Sequence, residues 1–327
     1  MAGDRDAPND DGRDALFDAV AAAIVGPPVH TRAGAAAAAG VPVERADRLW
    51  RAMGFPDAPH DAVEFTERDV EALRTAASLL ASGVVDEAGL LTLTRAMAQS
   101  LSRLAVSHAT VAAERLAALP EAAESLVPSV GALLDYVWRR HLAAAAEGLL
   151  VTAPADAPVA VGFADLVGFT ELSRQATPAE LEDLVERFEQ HAATAVAAHG
   201  GRVVKTLGDE VLFTAGDPAN AAALGLALAD GAGEVGREVR VGVAYGPVLA
   251  RLGDVFGPTV NLASRLTGLA YPGTVLLDRE AAAALRGDAR FDVAPVRRHA
   301  VRGYAHLAPF RVRRSAGGNG RFHPRET

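Results

Sequence analysis

"VVKTLGDEVLF", residues 203–213, is two short runs rich in β-branched residues on either side of a Leu-Gly-Asp turn. Such runs around a glycine turn predict strands at 201–206 and 210–214, joined directly and without a helix between them. Working outward, "VAVGFADL" at 159–166 reads as a buried strand, and Thr177-Pro178 is a start signal for a helix over 178–198. A further helix is predicted at 218–230 and a strand at 238–245. The order is one strand, a helix, two strands, a helix and a strand. It predicts a ferredoxin-like α+β sheet with helices on one face.

Within the opening stretch lies Lys205, the only lysine of a 327-residue chain that carries 31 arginines. Arginine serves wherever a surface charge suffices, so this lysine is not interchangeable with it. An ammonium is a compact charge on a flexible stem that can donate in any direction, whereas guanidinium is a flat fork. A narrow pocket reading one acceptor atom calls for the ammonium.

Half the residues are hydrophobic, which excludes a disordered chain, and the length allows two domains, each with its own core. There is no cysteine, so disulfides, thiol nucleophiles and Cys-ligated zinc are excluded. No run of about twenty apolar residues lacks a charge, and the Met1 end is acidic and polar; we expect a cytoplasmic protein with neither a transmembrane segment nor a secretion signal. The net charge of -9 sits mainly in residues 1–150, where 13 Arg face 21 Asp and Glu. That balance argues against nucleic acid as a partner.

The expected domains are a disordered tail at 1–12, an all-helical domain at 13–150, a linker at 151–158, the α+β domain at 159–313 and a disordered tail at 314–327. In the first domain apolar residues recur at helical spacing, as at Leu90, Leu93, Met97, Leu101 and Leu104. "HTRAGAAAAAGVPVERADRLWRAMGF", residues 30–55, has the outline of a helix-turn-helix, with a break at Gly40 and Arg45, Arg48 and Arg51 on the second helix. The acidic excess favours an interaction or regulatory role over DNA binding, with Trp50 and Phe55 as core or interface residues.

Chemistry concentrates in the second domain. Asp165 ends an apolar strand and Asp209 sits in the hairpin turn. Brought together by adjacent strands, two carboxylates repel unless they hold a cation, and hard oxygen donors suit Mg²⁺ or Mn²⁺. Each aspartate alone reads equally well as a turn residue. Gly168 and Phe169 follow Asp165 and leave main-chain N–H groups available to an anion. Neither G-x-x-x-x-G-K-[ST] nor G-x-G-x-x-G after a strand is present. In "GDVFGPTVNLASR", residues 253–265, a helical pattern from Val260 puts Asn261 and Arg265 on one face, an amide and a guanidinium suited to a ribose and a phosphate.

Taken together, "FADLVGFT", "VVKTLGDEVLF" and "GDVFGPTVNLASR" resemble the class III nucleotidyl cyclases, in the adenylate cyclase branch, over about residues 158–313. The resemblance implies that Asp165 and Asp209 bind two Mg²⁺ or Mn²⁺ ions, that Lys205 and Asp254 read adenine, and that Asn261 and Arg265 stabilise the transition state. It further implies ATP as substrate and a head-to-tail homodimer with sites shared between chains. Arg302, in "VRGY", falls near a triphosphate contact of such enzymes. The first 150 residues look like the helical regulatory region of some actinobacterial class III cyclases, including acid-activated ones. Acid pH or an apolar ligand such as a lipid or fatty acid is expected to bias it, with His108 and His141 as candidate protonation sites. The competing readings are a catalytically weak nucleotide-binding module, a diguanylate cyclase or polymerase-like palm, and a transcription factor with the cyclase fold as sensor.

Overall fold

In a computed structural model the described residues are 21–55, 59, 61–118, 122–150, 157–297, 299–301 and 304–315. The tails expected at 1–12 and, from 316 onward, at the C-terminus fall outside them, as does most of the expected linker. The chain divides into two compact units, residues 1–150 and 151–327.

In the first unit, helices α1 (Arg32–Ala39), α2 (Val43–Met53), α3 (Glu67–Ala81), α4 (Glu87–Ala118) and α5 (Ala122–Leu150) follow one another. Gly40, at φ 71°, ends α1 in the left-handed conformation that a side chain resists, giving the break expected between the two helices. Val70, Leu73, Leu49 and Trp50 form its core, and Trp50 packs on Phe65 with ring centroids 4.3 Å apart. Phe55 is exposed. One feature escaped the periodicity: His30–Thr31 (β1) and Val63–Phe65 (β2) pair as a short antiparallel ribbon, too brief to show an alternating pattern. Arg45 and Arg48 both lie against Glu87 at the start of α4, and Arg32 is buried against Asp47. Three of the basic residues around the helix-turn-helix outline are thus engaged by carboxylates. His108 and His141 lie exposed on α4 and α5.

The second unit is built on a seven-stranded sheet. Its first elements are β3 (Val159–Leu166), the short α6 (Phe169–Leu172), α7 (Pro178–Ala198), β4 (Gly201–Thr206), β5 (Glu210–Ala215), α8 (Pro218–Asp230), α9 (Ala232–Val235) and β6 (Val239–Gly246). Then come β7 (Leu249–Arg251), β8 (Asp254–Phe256), α10 (Pro258–Leu269), β9 (Val275–Leu277), α11 (Arg279–Ala284) and β10 (Phe291–Pro295). β11 (His299–Val301), β12 (Tyr304–Leu307) and β13 (Phe310–Arg314) complete the unit. The order β6-β3-β5-β4, all antiparallel, is the ferredoxin-like arrangement. β9 extends it in parallel beside β6, followed by β13 and β10.

Side chains alternate between the two faces of the sheet. Ala160, Ala164, Phe213, Val241 and Val243 pack with Phe188 of α7 and Leu224 of α8. Val161, Phe163, Leu212 and Ala244 pack on the other face with Ala263 and Leu266 of α10. The expected helices α7 and α8 do share one face; α10 covers the opposite one. Its approach to β6 is close because residue 242 is glycine: a Cβ there would meet Thr267 N and lie 2.6 Å from Ala263 O. Thr267 Oγ1 donates to Phe163 O at 3.2 Å and anchors α10 to β3.

Candidate active site

Asp165 stands at the end of β3 on the face covered by α10, the face of Val161 and Phe163. Cross-strand register places Glu210 of β5 on one side of it and Arg240 of β6 on the other. Arg240 Nε donates to Asp165 Oδ2 at 2.6 Å, and Arg240 Nη2 reaches the same oxygen. Asp209 sits at the β4–β5 turn, where its carbonyl accepts from Leu166 N at 3.0 Å. Gly208, at φ 70°, makes that turn.

Burial pushes the Asp165 carboxyl above its ordinary value; Arg240 opposes this and the nearby Asp209 adds to it. Burial likewise raises Glu210, helped by Asp165 and Asp209 and opposed by Arg240. Among the described residues, three carboxylates therefore share one corner with the Arg240 guanidinium. A hard divalent cation fits this corner, because it supplies positive charge where half-buried oxygens repel one another. Among the described residues no group of three or more His, Asp or Glu converges as a ready-made metal cage. Such a cation would draw further ligands from water or from a bound phosphate.

After Asp165 the chain turns at Gly168, φ 74°, and α6 begins at Phe169. Phe169 is partly buried against the hydrophobic core, which orients the first turn. Its leading N–H groups, like those of any helix start, have no main-chain acceptor within the turn.

Lys205 is delivered by an irregularity in β4. The register shifts between Val203 and Lys205, so that Val203 opposes Phe213 while Lys205 opposes Leu212. Leu212 belongs to the α10 face, and Lys205 is brought to that face by the bulge. There its Nζ donates to Asp254 Oδ2 at 2.5 Å. Asp254 opens β8, across a two-residue turn in which Leu252 and Gly253 both have positive φ, 52° and 81°. Burial acts to raise the Asp254 carboxyl, but the Lys205 ammonium and the Val255 N–H at 2.8 Å outweigh it and hold the group below its ordinary value.

Asn261 and Arg265 lie one turn apart on α10, both exposed, while Ala263 and Leu266 face the core. Neither side chain makes a hydrogen bond or ion pair with another described residue. The chain thus brings together Asp165 with Asp209, and Lys205 with Asp254; it leaves Asn261 and Arg265 open to an external group. Arg302 lies outside the described residues. Arg240 and Glu210 were missed by sequence reasoning, because only cross-strand register reveals them as neighbours of Asp165.

Residues 151–313 match the family model of the adenylate and guanylate cyclase catalytic domain. An adenylate cyclase of Streptomyces coelicolor is 46% identical over 261 residues, covering 75% of this chain and 68% of that protein. One from Glutamicibacter nicotianae is 37% identical over 313 residues, covering 85% and 77%. A pH-sensitive adenylate cyclase of Mycobacterium tuberculosis is 32% identical over 308 residues, covering 85% and 76%. Among solved structures, the adenylyl cyclase CyaB from P. aeruginosa aligns with a TM-score of 0.45 at 23% identity, covering 50% of this chain and 97% of that one. With the carboxylate corner, the lysine–aspartate pair and the open Asn-Arg helix all in one domain, the chain belongs to the class III nucleotidyl cyclases, among relatives named adenylate cyclase from actinobacteria.

Proposed function

We propose that the chain is an adenylate cyclase that converts ATP to 3′,5′-cyclic AMP and pyrophosphate. The observation that carries the choice of base is the Lys205–Asp254 pair. Adenine offers a ring-nitrogen acceptor and an exocyclic amine donor, which the ammonium and the carboxylate match. Guanine reverses that pattern at the same edges and leaves buried groups unpaired, at about 1–3 kcal/mol each.

Asp165 and Asp209 are the residues that would hold two divalent cations, Mg²⁺ or Mn²⁺, which when bound lower the pKa of the ribose 3′-hydroxyl and neutralise phosphate oxygens. In the reaction the 3′-oxygen attacks the α-phosphate in line and pyrophosphate leaves. Asn261 orients the ribose, and Arg265 offsets the charge that grows on the α-phosphate. The Gly168–Phe169 turn offers N–H groups to the phosphates. Arg240, already at the carboxylate corner, is placed to take a phosphate oxygen once Asp165 is otherwise neutralised, and Arg302 is read as a further triphosphate contact.

Lys205 and Asp209 stand only four residues apart, yet one serves the base and the other the phosphate end. A head-to-tail homodimer resolves this, with Asp165 and Asp209 from one copy and Lys205, Asp254, Asn261 and Arg265 from the other. The helical first unit is read as a regulatory element that biases this dimer in response to acid pH or an apolar ligand. A pH–rate profile unchanged by removal of residues 1–150 would refute that part.

The direct test is product formation from ATP and from GTP by the purified protein with Mn²⁺. Cyclic AMP from ATP, with little cyclic GMP, is expected; equal use of both nucleotides overturns the base assignment, and no product from either overturns the reaction. For the shared site, Asp165→Ala and Asn261→Ala chains, each inactive alone, should regain one working site per mixed dimer. Mixed dimers that stay inactive would exclude shared sites.

A further inference from the structure

We propose that Asp278 is a proton-dependent positioning residue for the cyclase reaction: its carboxyl ties the end of β6 to the first turn of α11, and so sets the point from which the Asp254 arm and α10 leave the sheet. The proposal rests on the cyclase reading above.

Asp278 is 3% exposed. Its Oδ1 accepts from Ala281 N at 2.8 Å, capping α11, and its Oδ2 accepts from Tyr245 N at 3.2 Å. Its own N–H donates to Val243 O at 3.0 Å. One side chain thus joins β6 and α11 at two main-chain points. Beyond Tyr245 the chain runs through Pro247, β7 and β8 to α10, and Thr259 Oγ1 donates to Pro247 O at 2.7 Å. The residues that follow Tyr245 include Asp254, Asn261 and Arg265, so the anchorage of Tyr245 is passed to all three.

The groups facing Asp278 leave its charge poorly compensated. From α11 come Glu280, whose negative charge repels it, and Arg279, at the rim of a cavity of about 540 Å³ beside it. From β6 comes Tyr245. The other walls of the cavity, Leu262 of α10 and Val296, Leu307 and Phe310, are apolar. Burial first, then Glu280, push the Asp278 carboxyl up to about 7, against the pull of the two N–H groups.

Above that pH both oxygens accept, with the strength of charge-assisted bonds. Below it one oxygen becomes an O–H group, a poorer acceptor, and the longer contact, to Tyr245, is the one weakened. The Asp254 arm is therefore held above about pH 7 and loosened below it.

The test uses the full-length protein and its Asp278→Asn variant, an uncharged isostere that cannot titrate. The Tyr245 amide resonance should move with a midpoint near pH 7 in the wild type and stay flat in the variant. The ratio of kcat at pH 8 to kcat at pH 6 should fall by about threefold or more, the size of one ordinary hydrogen bond, with the preference for ATP over GTP retained. Asp278→Ser keeps a helix cap but cannot span to Tyr245, and should give the same flat profile if the Asn variant fails to fold. A Tyr245 amide that does not titrate in the wild type overturns the proposal, as do superimposable pH profiles of kcat. If the wild type makes no cyclic nucleotide, the cyclase reading falls and with it the role in catalysis, while the Tyr245 amide still reports on the carboxyl anchor.

Discussion

Lys205 Nζ lies 2.5 Å from Asp254 Oδ2, joining the edge strand β4 to β8 across 49 positions of sequence. Arg202 Nη2 reaches Gly253 O at 3.3 Å just beside it. The pair is about one-third exposed on the lysine side, so as a surface ion pair it contributes at most about 1 kcal/mol to stability. On the proposed reading its value lies in the pattern of donor and acceptor it presents. Lys205→Arg should therefore melt close to the wild type but lose about tenfold or more in kcat/KM for ATP, since the flat fork cannot replace the single ammonium donor. Thermal melts alongside kinetics with ATP check this; an arginine variant with unchanged kcat/KM would refute the adenine-reading role.

Replacing Asp209 by Asn removes a negative charge that raises both Asp165 and Glu210. Without added metal, the Asn variant should be as stable as the wild type or more so, by up to about 1 kcal/mol, while losing nearly all activity. A structural role for Asp209 would show the opposite, destabilisation along with the activity loss. Chemical denaturation in the presence of a chelator separates the two.

The raised Asp165 and Glu210 carboxyls set a direction for pH. Each binds a proton in the folded protein at a pH where the unfolded chain has already released it, so both favour the fold on the acid side. That contribution is lost as pH rises from the ordinary carboxylate range through the raised folded values. Cation binding requires the ionised carboxylates and so competes with protons. The Mn²⁺ concentration for half-maximal activity should rise as pH falls through this window, and Mn²⁺ should raise the melting temperature more at pH 8 than at pH 5. A metal requirement independent of pH would show that Asp165 is not a ligand.

Gly242→Ala places a methyl group against the backbone of α10, at Thr267 N and Ala263 O, where no flexible side chain can give way. The expected cost is about 1–3 kcal/mol, read as a lower melting temperature. Because α10 carries Asn261 and Arg265, kcat should fall far more than the stability loss explains at 25 °C, with the fold retained by circular dichroism. Normal kcat in a folded Ala variant would show that the seat of α10 on β6 is not critical.

Much of this protein was settled by its sequence alone. β3, α7, β4 and α8 run over the expected residues, since their start signals, turn glycines and periodicity are local properties that need no distant partner. Asp165 stands at the strand end, Asp209 at the turn, and Asn261 and Arg265 on the helix that their motifs predicted.

Tertiary structure alone decided what those residues touch. Arg240 and Glu210 flank Asp165 because three strands pair in one register, and register is a property of the sheet, not of any strand. Lys205 meets Asp254 through a bulge that breaks the alternation of β4. Asp278 becomes a buried carboxyl because β6 and α11 close around it. Burial and cross-strand proximity govern charge, and both arise only when segments distant in sequence pack together.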